Sequence, residues 1–472
     1  MSAPLSSAGA HRRSAAVVAC SLTLAAAAVA CFGLAAAAPA QRASGDRLWA
    51  SMYAPPGQLD CRAVAAAQSH DGRAFYVAGT TAVTAGSPRD IVLFKYADDG
   101  TLLWQQIIGG PGDDRPAAVA VDADGNVVLA ATTDSGVTGD DVLVTEYSAA
   151  GERRWASHYR GPGSGADIAA DVAVTLVSPH TTVYVAATTS GPGGRKATVI
   201  KYGPTGHRLW VRRYAATAGP SSAAAIALDE GGNAYVGGSF TSYGDRQGLV
   251  RKYAGNGALR WTAAATGVRQ RDSGILDVAI GRGTTGHVYA CGSRGVALGS
   301  VAMLASYATG SGHHEWTATL GTSGLGESTF RSVAETRNGS AVVAGDIAGA
   351  GSTGRQAVVA KYRVRSGATL WVHLYNAAAT GAEDSFSAVV VNASDEAFAI
   401  GTSHTAAGDQ MVTLSYTGAG VFRWANLYGG PAGAPAAGNA LTLNVVTVAP
   451  YAVGYAADGA GGTKTAVVGY RR

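Results

Sequence analysis

Apolar and polar positions alternate in short runs along most of this chain, and the runs recur in a fixed order. After Trp104 an extended piece reaches Ile108, and three strand-like runs follow at 118–122, 127–133 and 142–147. Turn residues such as Asp124 and Gly125 separate these runs. Alternation with a period of two over about four to eight residues is typical of half-buried β-strands. The pattern therefore predicts four strands in each unit.

Tryptophan marks the same position in each unit. Consecutive tryptophans are 51 to 55 residues apart, and a tyrosine stands eight or nine residues before every tryptophan after the first. The tryptophans are Trp49, Trp104, Trp155, Trp210, Trp261, Trp316, Trp371 and Trp424. A period of about 50 residues with four strands per unit is typical of a β-propeller. The sequence thus predicts an all-β fold, an eight-bladed β-propeller of four-stranded antiparallel blades.

The connections indicate which strand lies outermost. The link from tyrosine to tryptophan is short and contains glycine, as at 97–101, which is the length of a hairpin. The tryptophan strand is therefore expected to be the outer, fourth strand. The first such strand, Leu48 to Tyr53, has no blade before it, and the last unit ends at Tyr470 without a fourth strand. We expect the N-terminal strand to complete the eighth blade and close the ring, which leaves no free edge.

The first 40 residues indicate an export signal. His11, Arg12 and Arg13 form a basic start, a small and apolar stretch follows to Ala38, and 38–40 fit the small-x-small cleavage rule. The chain is therefore divided into a signal peptide at 1–40 and a propeller domain at 41–472. Removal of the signal lowers the formal charge from +4 to about +2. That charge gives no case for a nucleic-acid partner or an anionic membrane surface.

Three variants of the export prediction stay open. A retained membrane anchor is disfavoured because alanine is only mildly apolar and a cleavage site follows. Arg12 and Arg13 could form a twin-arginine signal, although their surroundings match it poorly. Cys31 stands where a lipoprotein is lipidated, although Ala28 is smaller than usual at its position. We expect a secreted or periplasmic monomer without a transmembrane anchor, with lipid anchoring at Cys31 as the less favoured alternative.

Two cysteines follow the leader, Cys61 and Cys291. Two cysteines in an exported chain suggest a disulfide. In an eight-bladed ring, however, they fall in blades one and five, on opposite sides, and a disulfide needs Cα atoms within about 7 Å. We predict two unpaired and largely buried thiols.

The link, turn and strand motifs closely resemble the bacterial SBBP β-propeller repeat. The matching segments are 109–114 with its Gly-Gly-x-Gly-Asp-Asp pattern, 121–126, 76–80 and Lys95-Tyr96. The resemblance covers the chain after the leader, with departures at 282–286 and 446–450. It implies a type of propeller repeat rather than one activity.

A weaker resemblance is to quinoprotein dehydrogenases, whose eight-bladed rings carry a docking motif that ends in tryptophan. The segments from Tyr96 to Trp104 and from Tyr147 to Trp155 have that form. A recognisable adjacent cysteine pair and a quinone-binding set of residues are missing, so no cofactor is expected. What remains of the resemblance implies packing, with each tryptophan wedged between neighbouring blades.

Three polar clusters are candidates for a metal site or a catalytic site. The segment 122–126 resembles a calcium loop, but its relatives at the same hairpin lack the ligand count, which favours a turn. His313, His314 and Glu315 precede Trp316 without a partner cluster, which favours a solvated turn over zinc. The acidic pairs at 113–114 and 383–384 stand at equivalent links, which favours capping of loop amides. No metal site and no catalytic residue are assigned.

The connections also divide the predicted disc into two faces. The short-turn face carries the connections from strand one to two and from strand three to four. The long-loop face carries the blade links and the connections from strand two to three, expected to be long, at 80–90, 133–141, 188–196, 239–247, 293–300, 346–356, 402–410 and 456–465. Ligands of propellers usually bind where loops converge. The candidate ligand residues are Arg89, Asp90, Arg195, Lys196, Asp245, Arg246, Arg355 and Asp409.

The single charges spread around the ring favour binding over catalysis. The leading hypothesis is an exported, non-enzymatic module that recognises a protein or a glycan through the long-loop face. The alternative from another class is an enzyme at the channel mouth, either a quinone-dependent oxidoreductase or a carbohydrate-active propeller. A third possibility is a structural protein of the cell envelope, which requires a lipid on Cys31.

Overall fold

The computed structural model describes residues 45–84, 86–136, 139–177, 181–214, 219–265, 272–281, 286–322, 326–349, 354–377 and 383–472. The leader predicted at 1–40, with Arg12, Arg13 and Cys31, lies outside these residues. Strands dominate the described chain, which also contains a short 3-10 turn at Pro431–Gly433. No helix in that part of the chain is long and apolar enough to cross a membrane.

The strands follow β1 (Arg47–Tyr53) in eight sequential units. Unit 1 contains β2 (Asp60–Gln68), β3 (Ala74–Ala82), β4 (Asp90–Ala97) and β5 (Leu102–Ile108). Unit 2 contains β6 (Arg115–Val121), β7 (Val127–Asp134), β8 (Asp140–Tyr147) and β9 (Arg153–Tyr159). Unit 3 contains β10 (Ile168–Val174), β11 (Val183–Thr189), β12 (Lys196–Tyr202) and β13 (Arg208–Tyr214). Unit 4 contains β14 (Ser221–Leu228), β15 (Ala234–Ser242), β16 (Asp245–Tyr253) and β17 (Leu259–Ala265).

The second half of the chain continues in the same order. Unit 5 contains β18 (Gly274–Ile280), β19 (His287–Gly295), β20 (Ser300–Ala308) and β21 (His314–Leu320). Unit 6 contains β22 (Thr329–Glu335), β23 (Ala341–Ala348), β24 (Arg355–Tyr362) and β25 (Thr369–Tyr375). Unit 7 contains β26 (Ser385–Val391), β27 (Ala397–Thr405), β28 (Gly408–Tyr416) and β29 (Phe422–Tyr428). Unit 8 contains β30 (Ala436–Leu443), β31 (Pro450–Ala457) and β32 (Thr463–Tyr470).

Each of units 2 to 7 forms its own four-stranded antiparallel sheet in chain order. Unit 1 has the same order, and a single parallel bridge between Asp60 and Thr463 joins it to unit 8. Strand β1 pairs antiparallel with β32, with Tyr53 opposite Thr465, so the predicted pairing of the N-terminal strand with the last strand is observed. The prediction of an all-β propeller is confirmed, with about seven or eight blades.

The sheets are held face to face by small and β-branched side chains. In the core between units 2 and 3, Val128 and Val144 of one sheet pack with Val172 and Val185 of the next, and all four are buried. Such alternating, branched residues fit a pleated surface covered on both sides. The predicted burial of both thiols is also confirmed, since Cys61 and Cys291 are free and buried in different sheets.

The expected length of the loops between second and third strands was wrong in two units. In unit 4 the strands pair as far as Ser242 and Asp245, so only Tyr243 and Gly244 remain between them. In unit 7 the pairing continues to Thr405 and Gly408. Polar residues that look like loop in the sequence extend these hairpins, because exposed strand ends accept polar side chains. The longer connections of the long-loop face are the links between units.

A repeated contact joins several outer strands to the following unit. Trp104 Nε1 donates to the carbonyl of Ala149 in unit 2 at 3.2 Å, and Lys95 Nζ donates to the same oxygen at 2.7 Å. The same two-donor contact occurs for Trp210 with Lys201 at Gly255, Trp261 with Lys252 at Thr309, and Trp371 with Lys361 at Gly418. A carbonyl shared by an indole and an ammonium group ties adjacent units with charge-assisted bonds.

A glycine of the following turn makes room for each of these indoles. Gly206 has a φ of +77°, and a Cβ there would lie 2.5 Å from the Trp155 ring. Gly100, Gly257 and Gly420 lie in the same way against Trp49, Trp210 and Trp371, also with positive φ. Glycine meets both needs, since it adopts positive φ without strain and lacks the clashing carbon.

Acidic residues of the links cap loop amides, as the paired positions suggested. Asp114 accepts the N–H groups of Gly110 at 2.6 Å and Asp134 at 3.0 Å. Asp384 accepts those of Ala377 at 2.9 Å and His404 at 2.7 Å. Both carboxylates are fully buried, and burial raises the pKa of Asp114 despite these bonds.

The joint predicts a specific pattern of stability loss. Gly206→Ala should lower the free energy of unfolding by the cost of positive φ, about 1–2 kcal/mol, plus an overpacking cost of about 1–3 kcal/mol. The matched control is Gly459→Ala, with a φ of +76° and no atom within 4 Å of its Cβ position. The midpoints of urea unfolding should therefore separate the two variants. Equal midpoints would show that the indole contact contributes nothing.

Candidate functional site

The structure places the candidate ligand residues at equivalent positions in five units. They stand at or next to the start of the third strand, which opens on the long-loop face, in units 1, 3, 4, 6 and 7. These are Arg89, Asp90, Arg195, Lys196, Asp245, Arg246, Arg355 and Asp409. They are therefore distributed around the disc, and Arg195 and Arg246, of neighbouring units, line one cavity together.

Several of these side chains have local partners. Arg89 forms an ion pair with Asp60 at 3.4 Å. Lys196 is buried and its Nζ donates to the Gly193 carbonyl at 3.2 Å. Asp409 contacts His404 Nδ1 at 2.5 Å. Such contacts hold each charged group in position and leave some of its hydrogen-bonding capacity for a ligand.

Arg355 belongs to a network of charges between units 5, 6 and 7. Its Nη1 lies 2.9 Å from the fully buried Asp346, which also pairs with Arg331 at 2.7 Å. Exposed Glu327 and Glu383 lie 3.8 and 3.4 Å from the same guanidinium. Arg355 therefore compensates a buried carboxylate, a structural task that the sequence did not reveal.

A groove between units 3 and 4 has a different character. It encloses about 300 Å³ and is lined by Ile168, Thr188, Arg195, Pro220, Ser221, Ser222, Ser239, Thr241 and Arg246. Arg246 Nε donates to Ser239 Oγ at 2.8 Å, and Ser222 Oγ lies 2.9 Å from the same oxygen. The Arg195 guanidinium has no hydrogen-bond or ion-pair partner in the described part of the chain. The lining thus combines two cations with hydroxyl groups.

Tyr243 stands at the tip of the hairpin beside this groove. Its side chain is 95% exposed, and its φ of +51° is followed by +87° at Gly244. Positive φ at both central residues gives the twist that suits a two-residue hairpin. A bulky residue rarely adopts this conformation, so an aromatic ring at this tip was not expected from the sequence.

A larger cavity opens on the opposite, short-turn face. It has a volume of about 600 Å³ and its walls come from units 4 to 7, so it is the mouth of the central channel. Ala227, Ile280 and Val390 contribute to an apolar wall, and Asp229, Glu230 and Glu335 add carboxylates. None of the eight candidate residues lines it.

Two aspartates of the inner strands bridge neighbouring units. Asp171 accepts the N–H of Val172 and that of Ile226 in unit 4, each at 2.8 Å. Asp277 accepts those of Val278 and, in unit 6, Val333, at 2.8 and 2.9 Å. Protein surrounds both carboxyl groups, although each residue as a whole is only partly buried. The inner edge of a propeller exposes backbone amides, and these carboxylates satisfy them.

Burial dominates the titration of these two groups. Desolvation, with a smaller contribution from the charge of Asp277, raises the pKa of Asp171 to about 7 against the opposing effect of its backbone hydrogen bonds. Desolvation likewise raises the pKa of Asp277 to about 6. The sequence offered no signal for these positions, because six other units carry different residues at the same bulge.

The clusters weighed as metal sites serve local structure. Asp122 Oδ1 accepts the N–H groups of Asp124 and Asn126 at 3.0 and 2.8 Å, as in a turn. Glu315 lies in β21, and its Oε2 lies 2.5 Å from His287 Nδ1. His314 starts the same strand, so this cluster lies on the sheet rather than only in the turn. Among the described residues, no three His, Cys, Asp or Glu side chains converge on a common point.

The raised pKa values predict a pH dependence of stability. The folded state holds these protons more tightly than the unfolded state, so the contribution is complete below the ordinary carboxyl pKa of about 4. It is lost as the pH rises through about 6 and 7. The double variant Asp171→Asn/Asp277→Asn should lose less thermal stability than the parent chain between pH 4.5 and 8. The control, Asp98→Asn in an exposed turn, should follow the parent; identical slopes for all three would contradict the assignment.

The comparisons with known proteins identify a fold. No family model matches the chain, and no curated protein matches it in sequence. Sqt1 from Chaetomium thermophilum is similar in structure, with a TM-score of 0.53 and 13% identity over 91% of this chain and 100% of that chain. In a second structure Sqt1 is bound to the N-terminus of the ribosomal protein L10, with a TM-score of 0.54 and 12% identity over 89% and 98%.

A quinohemoprotein alcohol dehydrogenase from Pseudomonas putida has a TM-score of 0.49 and 11% identity, over 87% of this chain and 76% of that chain. At such identities the likeness to Sqt1 shows the fold alone. The likeness to Sqt1 and the sheets described above together place the chain among the β-propellers.

Proposed function

We propose that this protein is an exported interaction module that binds a protein or a glycan through its long-loop face. The observation that carries the proposal is the position of the charged side chains. Five units present them at or next to the start of the third strand, on sheet ends that pair with the second strand. Rigid presentation lowers the cost of ordering on binding. The free guanidinium of Arg195 and the exposed ring of Tyr243 add unsatisfied binding capacity to this face.

The fold is compatible with such a role. Sqt1, which has the same fold, is bound to the N-terminus of a ribosomal protein. Propellers serve many unrelated functions, so this likeness makes a binding role admissible without selecting a partner. We also propose that the repeats of this chain are of the bacterial SBBP type.

We also propose that unit 8 is a separate eighth blade, which β1 completes to close the ring. Gly45 has a φ of +97°, and a Cβ there would lie 2.2 Å from the Trp424 ring, as other turn glycines lie against their tryptophans. Gly45 N–H donates to the Arg471 carbonyl at 2.9 Å, so the two chain ends together replace a hairpin turn. On the channel side, Asn439 donates to Ala63 of unit 1 at 2.7 Å.

The glycine comparison above also tests closure. Gly45→Ala should destabilise the chain at least as much as Gly206→Ala does, and more than Gly459→Ala, because its indole contact is at least as close. An effect no larger than that of Gly459→Ala would contradict closure through this joint.

The export part of the proposal assigns residues 1–40 to a cleaved signal and 41–472 to the secreted or periplasmic propeller. Expression in a bacterial host with intact-mass measurement should give an exported chain that begins at Gln41. A chain that begins at a lipidated Cys31 would instead support the envelope-protein alternative. A chain that retains residues 1–40 in the membrane would contradict cleavage.

The second candidate is an enzyme that uses the channel mouth. The cavity of about 600 Å³ with three carboxylates at its wall favours it. The contacts of Asp229 point the other way, because this residue accepts from Asn233 at 2.9 Å and lies 3.7 Å from Lys252, as a turn residue does. We therefore place this reading second.

The binding proposal predicts which face a ligand needs. Ligands found on a glycan and peptide array should lose at least about tenfold in affinity when Arg89→Gln, Arg195→Gln and Asp409→Asn are combined, because charged contacts typically contribute about 1.5–3 kcal/mol each. The control combines Arg73→Gln, Arg365→Gln and Glu230→Gln on the short-turn face, which removes the same number of each charge. Loss of binding in the control alone would favour the channel mouth over the long-loop face.

A further inference from the structure

The groove between units 3 and 4 differs from the rest of the long-loop face in its charge. Arg195 and Arg246 line it together, and no carboxylate belongs to its described lining. Two carboxylates lie near Arg246 outside this lining: Asp272 accepts the backbone N–H of Arg246 at 3.3 Å, and Asp245 precedes Arg246 at the start of the same strand. Arg89 and Arg355, two other candidate cations of this face, are instead paired with carboxylates.

The two guanidinium groups retain most of their donors. An arginine carries five N–H donors in a planar fork. Only the Nε of Arg246 is used, in its bond to Ser239, and this bond also fixes the direction of the guanidinium. Arg195 has no described partner. Planar donors of this kind bind carboxylate and sulfate groups through two parallel hydrogen bonds.

The remainder of the lining suits a sugar ring. Ser222, Ser239 and Thr241 supply hydroxyl groups, and Ile168 and Pro220 supply apolar surface. A volume of about 300 Å³ is at the small end of ligand sites, which suits one residue of a polymer. Thr241 pairs with Arg246 across the hairpin that carries Tyr243 at its tip. The exposed Tyr243 ring therefore lies only two residues along the chain from the groove residue Thr241.

The backbone of the groove argues against a peptide ligand. The N–H of Thr241 donates to Pro220, that of Ser221 donates to Arg195, and that of Ala223 donates to Thr188. Extended peptides gain affinity from main-chain hydrogen bonds to free strand edges. These donors are already used, so a ligand must bind through side-chain hydroxyl and guanidinium groups, as a saccharide can.

We propose that this groove binds an acidic sugar residue of a polysaccharide, with Arg195 and Arg246 holding its carboxylate or sulfate group and the serine and threonine hydroxyls contacting the ring hydroxyls. Tyr243 contributes apolar contact to the neighbouring sugar. The inference rests on the proposed binding function and specifies the ligand class for one part of that face.

Calorimetric titration with trigalacturonate and with a sulfated galactan oligosaccharide tests the proposal. We expect binding of one of the two acidic sugars that weakens as salt is added, and no binding of neutral galactotriose. Arg195→Gln and Arg246→Gln should each reduce affinity about tenfold or more, since each removes charged hydrogen bonds. Tyr243→Ser should weaken binding without changing its salt dependence. The probe that binds distinguishes the carboxylate from the sulfate source.

The control is Arg160→Gln, which removes an exposed arginine of the same face outside the groove and should leave affinity unchanged. An equal loss of affinity in this control would show that the sugars bind by general charge attraction, and it would contradict the proposed site. Binding of an oligoglutamate peptide in place of the sugars, or of none of these probes, would also overturn it. The proposed function would still stand if array ligands continued to require the triple set of long-loop residues, so the two failures are distinguishable.

Discussion

The fold depends on the contact between the tryptophan of one unit and the glycine turn of the next. The indole fills the space that a side chain would occupy at Gly206 or Gly257, and its N–H reaches a turn carbonyl in most units. Where lysine precedes the tyrosine, as at Lys95 and Lys201, the ammonium group shares that carbonyl. Packing, hydrogen bonding and charge thus act on one small surface, and the surface recurs at each step around the disc.

Two joints depart from this arrangement. Trp424 Nε1 is buried without a hydrogen-bond partner in the described part of the chain. In unit 2 the lysine position is occupied by Glu146, and Trp155 Nε1 donates to this carboxylate at 3.0 Å instead of to unit 3. Arg154 lies 3.2 Å from the same carboxylate and compensates its charge. The glycine contact persists at Gly206, so the joint keeps its shape while it loses the bond across units. The packing of the indole against the glycine therefore does not require the hydrogen bond between units.

The architecture could be derived from the sequence because every unit must repeat this joint. The tryptophan period located the outer strands, and the unmatched first and last strands indicated that β1 pairs with β32. Loop lengths were less accessible, since Ser242 and Asp245 are polar residues that nevertheless extend a hairpin. The ring of Tyr243 and the burial of Asp171 were not predictable, because both follow from neighbours distant in sequence. The charged strand ends were found, but which of them meet in one groove depended on the curvature of the disc.

The meeting of the chain ends has a geometric consequence. Gly45 and Arg471 bond to each other in the place of a hairpin turn, beside Trp424, and that place lies on the short-turn face. A chain, label or surface attached at either end therefore leaves from this side of the disc. Whatever holds the protein by its termini orients the opposite side, with Arg195, Arg246 and Tyr243, outward into solution. The two faces of the disc are therefore not equivalent. The contact between Gly45 and Arg471, rather than any property of the loops, determines which face lies towards an attachment at the termini.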